Sequence, residues 1–215
     1  MKFRYVQNPH NSSAIQYSEK PQKCAICHQS RPGYEGIYHY DYNEPIFVCE
    51  ECILNGKFQE KEGRTNEGSP RTLRKQMRKL NPQMSEEELE NIVRQKTDEI
   101  EYRTPHITTW QDFTWPVHCG DYCCYIGEAG KSELNTFAPD GDGKVFLRSL
   151  SEWMGEIGGE EDRNEYRKLE GEMDIDWLWD KIPAHAPKTK SDPCSWLHLF
   201  KCLHCHKYIV LIDMD

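Results

Sequence analysis

The stretch CAICHQSRPGYEGIYHYDYNEPIFVCEEC, residues 24–52, carries two C-x-x-C pairs, Cys24 with Cys27 and Cys49 with Cys52. Each pair brings two thiolates within reach of one metal ion, and two pairs at opposing hairpin ends complete a tetrahedron. The 21 residues between the pairs exceed the usual spacing by one residue, which a hairpin loop absorbs. The stretch therefore predicts a zinc ribbon with a structural site, because four thiolates leave no ligand position for water.

A third C-x-x-C pair, Cys202 with Cys205, lies near the end of the chain. Ten cysteines placed at random in 215 residues would give about half of one such pair, so three pairs require a common cause. The cluster that can supply the missing ligands of a second zinc ion consists of His118, Cys119, Cys123 and Cys124. We select Cys119 and Cys123, which a turn separates, and keep His118 and Cys124 as alternatives.

The predicted fold class is α+β, with zinc-ribbon-like β-hairpins, packed helices and two structural four-cysteine zinc sites. Aromatic and β-branched residues predict short strands at 3–5, 37–40 and 45–48. The expected organisation is an N-terminal zinc-ribbon-like module at 1–68, a helical insertion at 69–103, and a C-terminal α+β module with the second zinc knuckle at 104–215.

The segment that follows the ribbon predicts two helices. Ser69 and Pro70 suit the cap and the first position of the first helix. Ser85 followed by Glu88 is a capping box, which predicts the start of the second helix. The basic run at 71–79 is a candidate phosphate-binding face, but the acidic run that begins the second helix predicts mutual compensation on a solvated surface.

The C-terminal module predicts further helices and one hairpin. Apolar spacing predicts a helix at 145–154, and Asp176 is expected to cap a shorter helix. The segments 196–200 and 208–212 flank the third cysteine pair. They predict a β-hairpin whose turn holds a metal.

The charge and the apolar pattern restrict the class of function. The chain has 36 acidic and 27 basic side chains, a formal charge of −9, so an acidic face can meet a basic protein partner. Nucleic acid is an unfavoured partner, because phosphate neutralisation needs a clustered excess of Lys and Arg. The sequence has neither a signal-peptide core nor a membrane-spanning run, so we expect a cytosolic protein without membrane contact. Thiols stay reduced there, which favours metal ligation over disulfides.

Five segments of the chain resemble one known family. They are KFRYVQNP (2–9), CAICHQSRPGYEGIYHY (24–40), CEECILNGKF (49–58), RTPHITTWQDFTWPVHCGDYCCYIG (103–127) and FKCLHCHKY (200–208). The chain is similar to the CbrC family of bacterial proteins, named for tolerance to an E-type colicin, over nearly its whole length. The resemblance implies two zinc ions per chain on Cys24, Cys27, Cys49, Cys52, Cys119, Cys123, Cys202 and Cys205. It implies no particular reaction.

These observations favour a non-catalytic, zinc-stabilised protein that binds a protein partner. The resemblance adds colicin or toxin tolerance, or a stress response, as the setting, and Trp110 and Trp115 are expected at the surface as aromatic contacts. One alternative is a zinc-dependent, hydrolase-like enzyme that uses the region from Cys119 to Cys123. It is disfavoured because the sequence has no H-E-x-x-H, P-loop or G-x-S-x-G motif. The other alternative is a nucleic-acid-binding zinc ribbon that uses the basic run at 71–79.

We expect Cys49→Ser or Cys202→Ser to release zinc and to destabilise the fold, because three thiolates then surround an exposed metal. Metal analysis and thermal unfolding measure both effects, and Cys194→Ser, at a cysteine without a cysteine neighbour, is the control. Less than one zinc per chain in freshly purified wild-type protein would contradict the prediction.

Overall fold

The computed structural model of the protein describes residues 3–37, 45–61, 63–153, 167–187 and 197–213. Within these ranges the fold is mixed α+β, with seven α-helices and antiparallel hairpins, as the sequence predicts. No helix in these ranges combines the length and the apolar character that a bilayer crossing requires.

The ribbon residues form a three-stranded antiparallel sheet. Its strands, in spatial order, are β1 (Tyr17–Lys23), β2 (Ser30–Ile37) and β3 (Ile46–Cys49), and β3 leads into the short helix α1 (Glu50–Leu54). The first cysteine pair lies in the turn between β1 and β2, and the second pair spans the junction of β3 and α1. The predicted strand at 37–40 corresponds to the end of β2, and its residues 38–40 lie outside the described residues.

The N-terminal segment buries Phe3, Tyr5 and Val6, but it is not the strand predicted at 3–5. One isolated parallel bridge joins Val6 to Tyr125, and the Tyr125 N–H donates to the Tyr5 carbonyl at 2.8 Å. Phe3 and Tyr5 are buried core residues, and the Tyr5 ring packs edge-on against Tyr122 with centroids 5.9 Å apart. The aromatic residues Phe3 and Tyr5, which predicted a strand, therefore pack in the core instead.

Helices α2 (Pro70–Leu80) and α3 (Glu86–Arg103) confirm the predicted helical pair. Ser69 lies at the cap position of α2 as predicted, but its hydroxyl donates to the Trp115 carbonyl at 3.2 Å instead of capping the helix. The Ser85 hydroxyl accepts the backbone N–H of Glu88 at 3.2 Å, as expected for a residue that caps a helix. The buried positions Leu73, Met77, Leu89, Val93 and Ile100 recur at helical spacing.

The positive charge of α2 is compensated by α3. Arg74 pairs with Glu86 and Glu90, and Arg78 pairs with Glu86. Such exposed pairs contribute little to stability, but they neutralise the charge that a phosphate-binding face would need.

The C-terminal part is built on a five-stranded mixed sheet. In spatial order its strands are β6 (Cys124–Glu128), β9 (Leu197–Lys201), β10 (Tyr208–Ile212), β7 (Ser151–Glu152) and β8 (Arg167–Lys168). The predicted terminal hairpin is confirmed as β9 and β10, although residue 196 lies outside the described residues. A separate two-stranded hairpin precedes the sheet, with β4 (Val117–His118) and β5 (Asp121–Tyr122). The remaining helices are α4 (Lys131–Phe137), α5 (Gly143–Ser149), α6 (Leu169–Glu172) and α7 (Ile175–Lys181).

Two helix predictions in this part are wrong in detail. The helix expected at 145–154 is α5, which ends at Ser149 because the next residues pair with β10 as the parallel strand β7, and residue 154 lies outside the described residues. The cap of α7 is Asp174 instead of Asp176. The Asp174 carboxylate accepts two backbone N–H groups of the first turn, at 2.9 and 3.0 Å.

The described part of the chain contains two hydrophobic core clusters. The larger cluster draws on all three predicted units, with Ile53, Leu73 and Trp115 among its members. The second cluster lies between the five-stranded sheet and helices α4 to α7, with Leu134 and Leu199 among its members. The division at 68 and 103 stays a prediction, and the helical pair shares a core with the ribbon.

A buried hydrogen-bonded chain crosses the C-terminal sheet. The Tyr125 hydroxyl lies 3.2 Å from Nδ1 of His198, and Nε2 of that ring lies 3.4 Å from the Asp213 carboxylate. The same carboxylate accepts the backbone N–H groups of Trp110 and Gln111, at 2.9 and 3.1 Å. These hydrogen bonds therefore attach the loop that contains Trp110 to the sheet.

The two tryptophans expected at the surface differ. Trp110 is 62% exposed, whereas Trp115 is fully buried and its indole N–H donates to the Cys123 carbonyl at 2.8 Å. The surface prediction is therefore confirmed for Trp110 and wrong for Trp115, whose segment folds against the core.

Gly33 provides a test of the ribbon packing. A Cβ at this position would lie 2.5 Å from the Cys49 Cα and 2.9 Å from the Phe47 ring. We expect Gly33→Ala to lower the free energy of unfolding by about 1–3 kcal/mol, because the facing backbone must move. Gly171→Ala is the control, since nothing lies within 4 Å of its added Cβ. Equal losses in urea unfolding would contradict the close approach of β2 and β3.

Candidate metal centres

The first centre gathers the four ribbon cysteines. The Sγ atoms of Cys24, Cys27, Cys49 and Cys52 all lie within 4.8 Å of one another. The Sγ atoms of Cys27 and Cys49 are 3.7 Å apart. A zinc tetrahedron with Zn–S near 2.3 Å has an S–S edge of about 3.8 Å, so the spacing fits a closed four-thiolate shell.

Backbone N–H groups favour a thiolate in the first centre. The N–H groups of Ile26 and Cys49 each point at Cys24 Sγ from 3.4 Å. Burial opposes ionisation of this thiol, but the hydrogen bonds outweigh burial and lower its pKa to about 7. Burial raises the pKa of Cys52, and the neighbouring thiols raise it further. The lowered pKa favours the thiolate form of Cys24, which is the form that binds a metal ion.

The two C-x-x-C-H segments of the chain fold in the same way. In each, the N–H of the first cysteine, Cys24 or Cys202, donates to the carbonyl five residues later at 2.9 Å. The carbonyl of the same cysteine accepts the N–H of His28 or His206, at 2.9 and 3.1 Å. These exposed histidines have left-handed φ values of 60° and 62°. The shared turn directs both thiols of each pair to one side.

The second centre consists of His118, Cys119, Cys202 and Cys205, whose ligand atoms lie within 4.8 Å of one another. Nδ1 of His118 is 3.2 Å from Cys119 Sγ and 3.4 Å from Cys205 Sγ. A zinc tetrahedron gives an N–S edge of about 3.6 Å. Burial and the charge of Lys207 lower the pKa of His118, which favours the neutral imidazole that a metal binds.

A tight turn places His118 and Cys119 at this centre. His118 pairs with Asp121 across β4 and β5, so Cys119 and Gly120 form a two-residue loop. Both loop residues have positive φ, 54° and 69°, as a type I′ turn requires. Cys119 therefore projects from the tip of the hairpin toward the knuckle that carries Cys202 and Cys205.

The predicted ligand set differs from the observed cluster at one position. His118, one of the two alternatives, stands in the cluster where Cys123 was selected. Cys123 is fully buried beside the cluster, and its pKa is raised by burial and by the thiols of Cys202 and Cys205. Cys124, the other alternative, points to the Tyr125 carbonyl at 3.6 Å. Its pKa is raised to about 11 by burial.

A buried carboxylate, that of Asp121, lies next to the second centre. Asp121 lies two residues after Cys119 and its side chain is only 3% exposed. It accepts hydrogen bonds from Tyr5 at 2.8 Å, from Arg4 at 3.0 Å and from Nε2 of His204 at 3.3 Å, and pairs with Lys96 at 3.0 Å. Burial opposes its charge, but Tyr5, Lys96 and Arg4 outweigh burial and hold the pKa of Asp121 below the usual range.

The sequence interpretation did not predict the contacts of Asp121 with its partners. The available signal was the Cys-Gly dipeptide at 119–120, which resembles the turn residues of a two-residue hairpin and would have placed His118 and Asp121 opposite each other. The partners Arg4, Lys96 and His204 lie far away in the chain, and no local pattern joins them.

A family model described as an uncharacterised protein family (UPF0167) matches residues 1–168. The chain belongs to the UPF0167 family. The matched range contains the whole first centre and the hairpin ligands His118 and Cys119 of the second, and ends before Cys202.

Two mycobacterial relatives extend the similarity to the knuckle. UPF0167 protein Mb2317 of Mycobacterium bovis and UPF0167 protein MT2352 of Mycobacterium tuberculosis are each 25% identical over 219 residues, covering 98% of this chain and 91% of theirs. UPF0167 protein PA1536 of Pseudomonas aeruginosa is 38% identical over 48 residues, 22% of this chain and 27% of its own. No solved structure matches the chain.

The fourth ligand of the second centre can be tested by substitution in this UPF0167 protein. We expect His118→Ala to weaken metal binding at the second centre at least about tenfold, because it removes a donor from the shell. Cys123→Ser should leave metal binding unchanged, and buried Cys124→Ser is the matched control. Cobalt substitution measures this, since thiolate-to-cobalt absorption reports the number of sulfur ligands. Loss of that absorption in Cys123→Ser, with His118→Ala unaffected, would restore the ligand set selected from the sequence.

Proposed function

We propose that this UPF0167 protein is a non-catalytic bacterial protein of the CbrC type, stabilised by two structural zinc ions and acting by binding a basic protein partner in the cytoplasm. The observation that carries the proposal is the presence of two four-donor clusters of cysteine and histidine. Within each cluster, the four donor atoms lie close enough to bind the same ion.

Zinc is the metal that this donor chemistry favours. Thiolate and imidazole are soft or borderline ligands, and tetrahedral shells of four cysteines, or of three cysteines and one histidine, are typical structural zinc sites. Bound zinc would supply folding free energy on the order of 10 kcal/mol per site. The nine cysteines within the described residues are free thiols, which supports a reducing compartment such as the cytoplasm.

The number of ligands supports a structural role over a catalytic one. A catalytic zinc keeps one position open for water or substrate, whereas each cluster here offers four protein donors. The enzyme alternative required an incomplete shell at the region from Cys119 to Cys123. The nucleic-acid alternative required a free basic face on α2, where Arg74 and Arg78 are paired with acidic residues of α3.

The partner-binding part of the proposal is based on Trp110. Its side chain is 62% exposed, while the backbone N–H groups of Trp110 and Gln111 are bound to buried Asp213. Two residues before Trp110, Thr108 donates its N–H to the Ala14 carbonyl at 2.9 Å. An aromatic side chain on an anchored loop loses little conformational entropy on binding, which is the property of an interface hot spot.

The charge of the chain and its resemblance to the CbrC family indicate the partner to test first. A formal charge of −9 favours a basic partner by electrostatic complementarity. The family resemblance makes a basic nuclease domain of an E-type colicin the first candidate, with toxin tolerance as the corresponding role.

The experiment compares wild-type protein with Trp110→Ala in a titration against the purified colicin nuclease domain. We expect binding that Trp110→Ala weakens about tenfold or more, because hot-spot tryptophans contribute strongly to affinity. Trp177→Ala, at a tryptophan of α7 that is 46% exposed, is the matched control and should bind normally. Absence of binding would refute the colicin partner.

A second arm tests partner binding in general. Proteins captured from a bacterial lysate by the wild type and by Trp177→Ala, but lost with Trp110→Ala, would support a partner at this loop. Identical captures by all three proteins would contradict it. Metal analysis of the same preparations should give two zinc ions per chain, and a metal-free, folded wild type would refute the structural role of zinc.

A further inference from the structure

Helices α2 and α3 bracket the hairpin that carries two ligands of the second centre. The Gln76 side-chain amide of α2 donates through Nε2 to the Val117 carbonyl at 3.0 Å and accepts the Gly120 N–H through Oε1 at 3.1 Å. Val117 and Gly120 are the residues on either side of His118 and Cys119. One side chain therefore holds the backbone at both ends of the ligand pair.

Lys96 of α3 supports the same turn from a second direction. Its Nζ donates to the Gly120 carbonyl at 3.0 Å and pairs with Asp121 Oδ1 at 3.0 Å. The other oxygen of Asp121 faces Nε2 of His204, at 3.3 Å. His204 lies between the knuckle ligands Cys202 and Cys205, so these contacts join α3, the hairpin and the knuckle in one network.

The hairpin needs this support because it is weak by itself. It contains two residues in each strand, and an isolated two-stranded hairpin is marginally stable in water. Its turn also holds Cys119 at φ 54°, a conformation that costs free energy for a residue with a side chain. Two residues of α2 close over the turn, since a Cβ on Gly120 would lie 3.0 Å from Leu80 and 3.4 Å from Met77.

We propose that Gln76 and Lys96 are positioning residues of the second metal centre, so that the helical pair at 70–103 sets its metal affinity. This inference rests on the proposed function only in assuming that the centre binds metal. Neither residue belongs to the clusters of ligand atoms. They act on His118 and Cys119 through the backbone of the turn.

The test measures cobalt and zinc affinity of Gln76→Met and Lys96→Met, which keep side-chain length and remove the hydrogen bonds. We expect metal affinity at the second centre to fall about tenfold or more, the range typical of groups that orient ligands. The first centre should keep its affinity, and the spectrum of cobalt at the second centre should change. Matched controls are Gln95→Met and Lys79→Met, at exposed positions of the same two helices.

Conservative variants separate positioning from general stability. Lys96→Arg keeps a donor for Gly120 and Asp121 and should restore metal affinity, even if Lys96→Met folds poorly. Gln76→Glu keeps the acceptor for the Gly120 N–H and loses the donor to Val117, so its metal affinity should be intermediate. Folded content and thermal unfolding of each variant are compared in the same buffer.

The outcomes distinguish this inference from the proposed function. A wild type that binds two metal ions, with Gln76→Met and Lys96→Met indistinguishable from the controls in affinity and cobalt spectrum, would overturn the positioning role alone. A folded wild type that binds no metal would refute the proposed function. Equal losses at both centres would show a general effect on folding and would also overturn the positioning role.

Discussion

The arrangement of the C-terminal half depends on the interactions of the buried Asp121 carboxylate. It lies at the first position of β5 and contacts the N-terminal segment through Arg4 and Tyr5, helix α3 through Lys96, and the knuckle through His204. A buried charge is tolerated only when it is paired and hydrogen-bonded, and the Asp121 side chain is 3% exposed. Parts of the chain that are distant in sequence must therefore assemble together around this residue.

The two metal centres make different demands on folding. The ligands of the first centre all come from residues 24–52, and a single three-stranded sheet brings them together. The second centre joins a hairpin at 117–122 to a knuckle formed by residues 202–205, and the pairing of β9 with β6 links these two parts of the chain. Closing the longer loop has a higher entropic cost. The helical pair and Asp121 offset part of this cost by holding the hairpin in place. The first centre thus cross-links residues that are close in sequence, and the second cross-links residues that are far apart in sequence.

The same organisation separates the metal centres from the surface loop that we propose as a partner-binding site. The metal ligands and the Asp121 network lie inside or beside the core, whereas Trp110 lies on the surface, on a loop that Asp213 and the sheet hold in place. Helix α2 has an intermediate position, because Arg74 and Arg78 pair with α3 on one side while Gln76 contacts the hairpin on the other. Ion pairs on the surface of these helices contribute little to stability, whereas the helices share a hydrophobic core with the ribbon.

The sequence alone determined the features that depend on local spacing. Two C-x-x-C pairs in 24–52 predicted the first centre, Ser69 and Ser85 predicted the helix starts, and the segments around the third pair predicted β9 and β10. Each of these rests on ligand spacing, capping or strand alternation, which act over a few residues. Tertiary structure decided that His118 instead of Cys123 joins the second cluster, because the register of a two-residue turn sets which side chains reach the knuckle. It also decided that Asp121 collects its charged partners, since no periodic pattern in the chain relates residues 4, 96, 121 and 204.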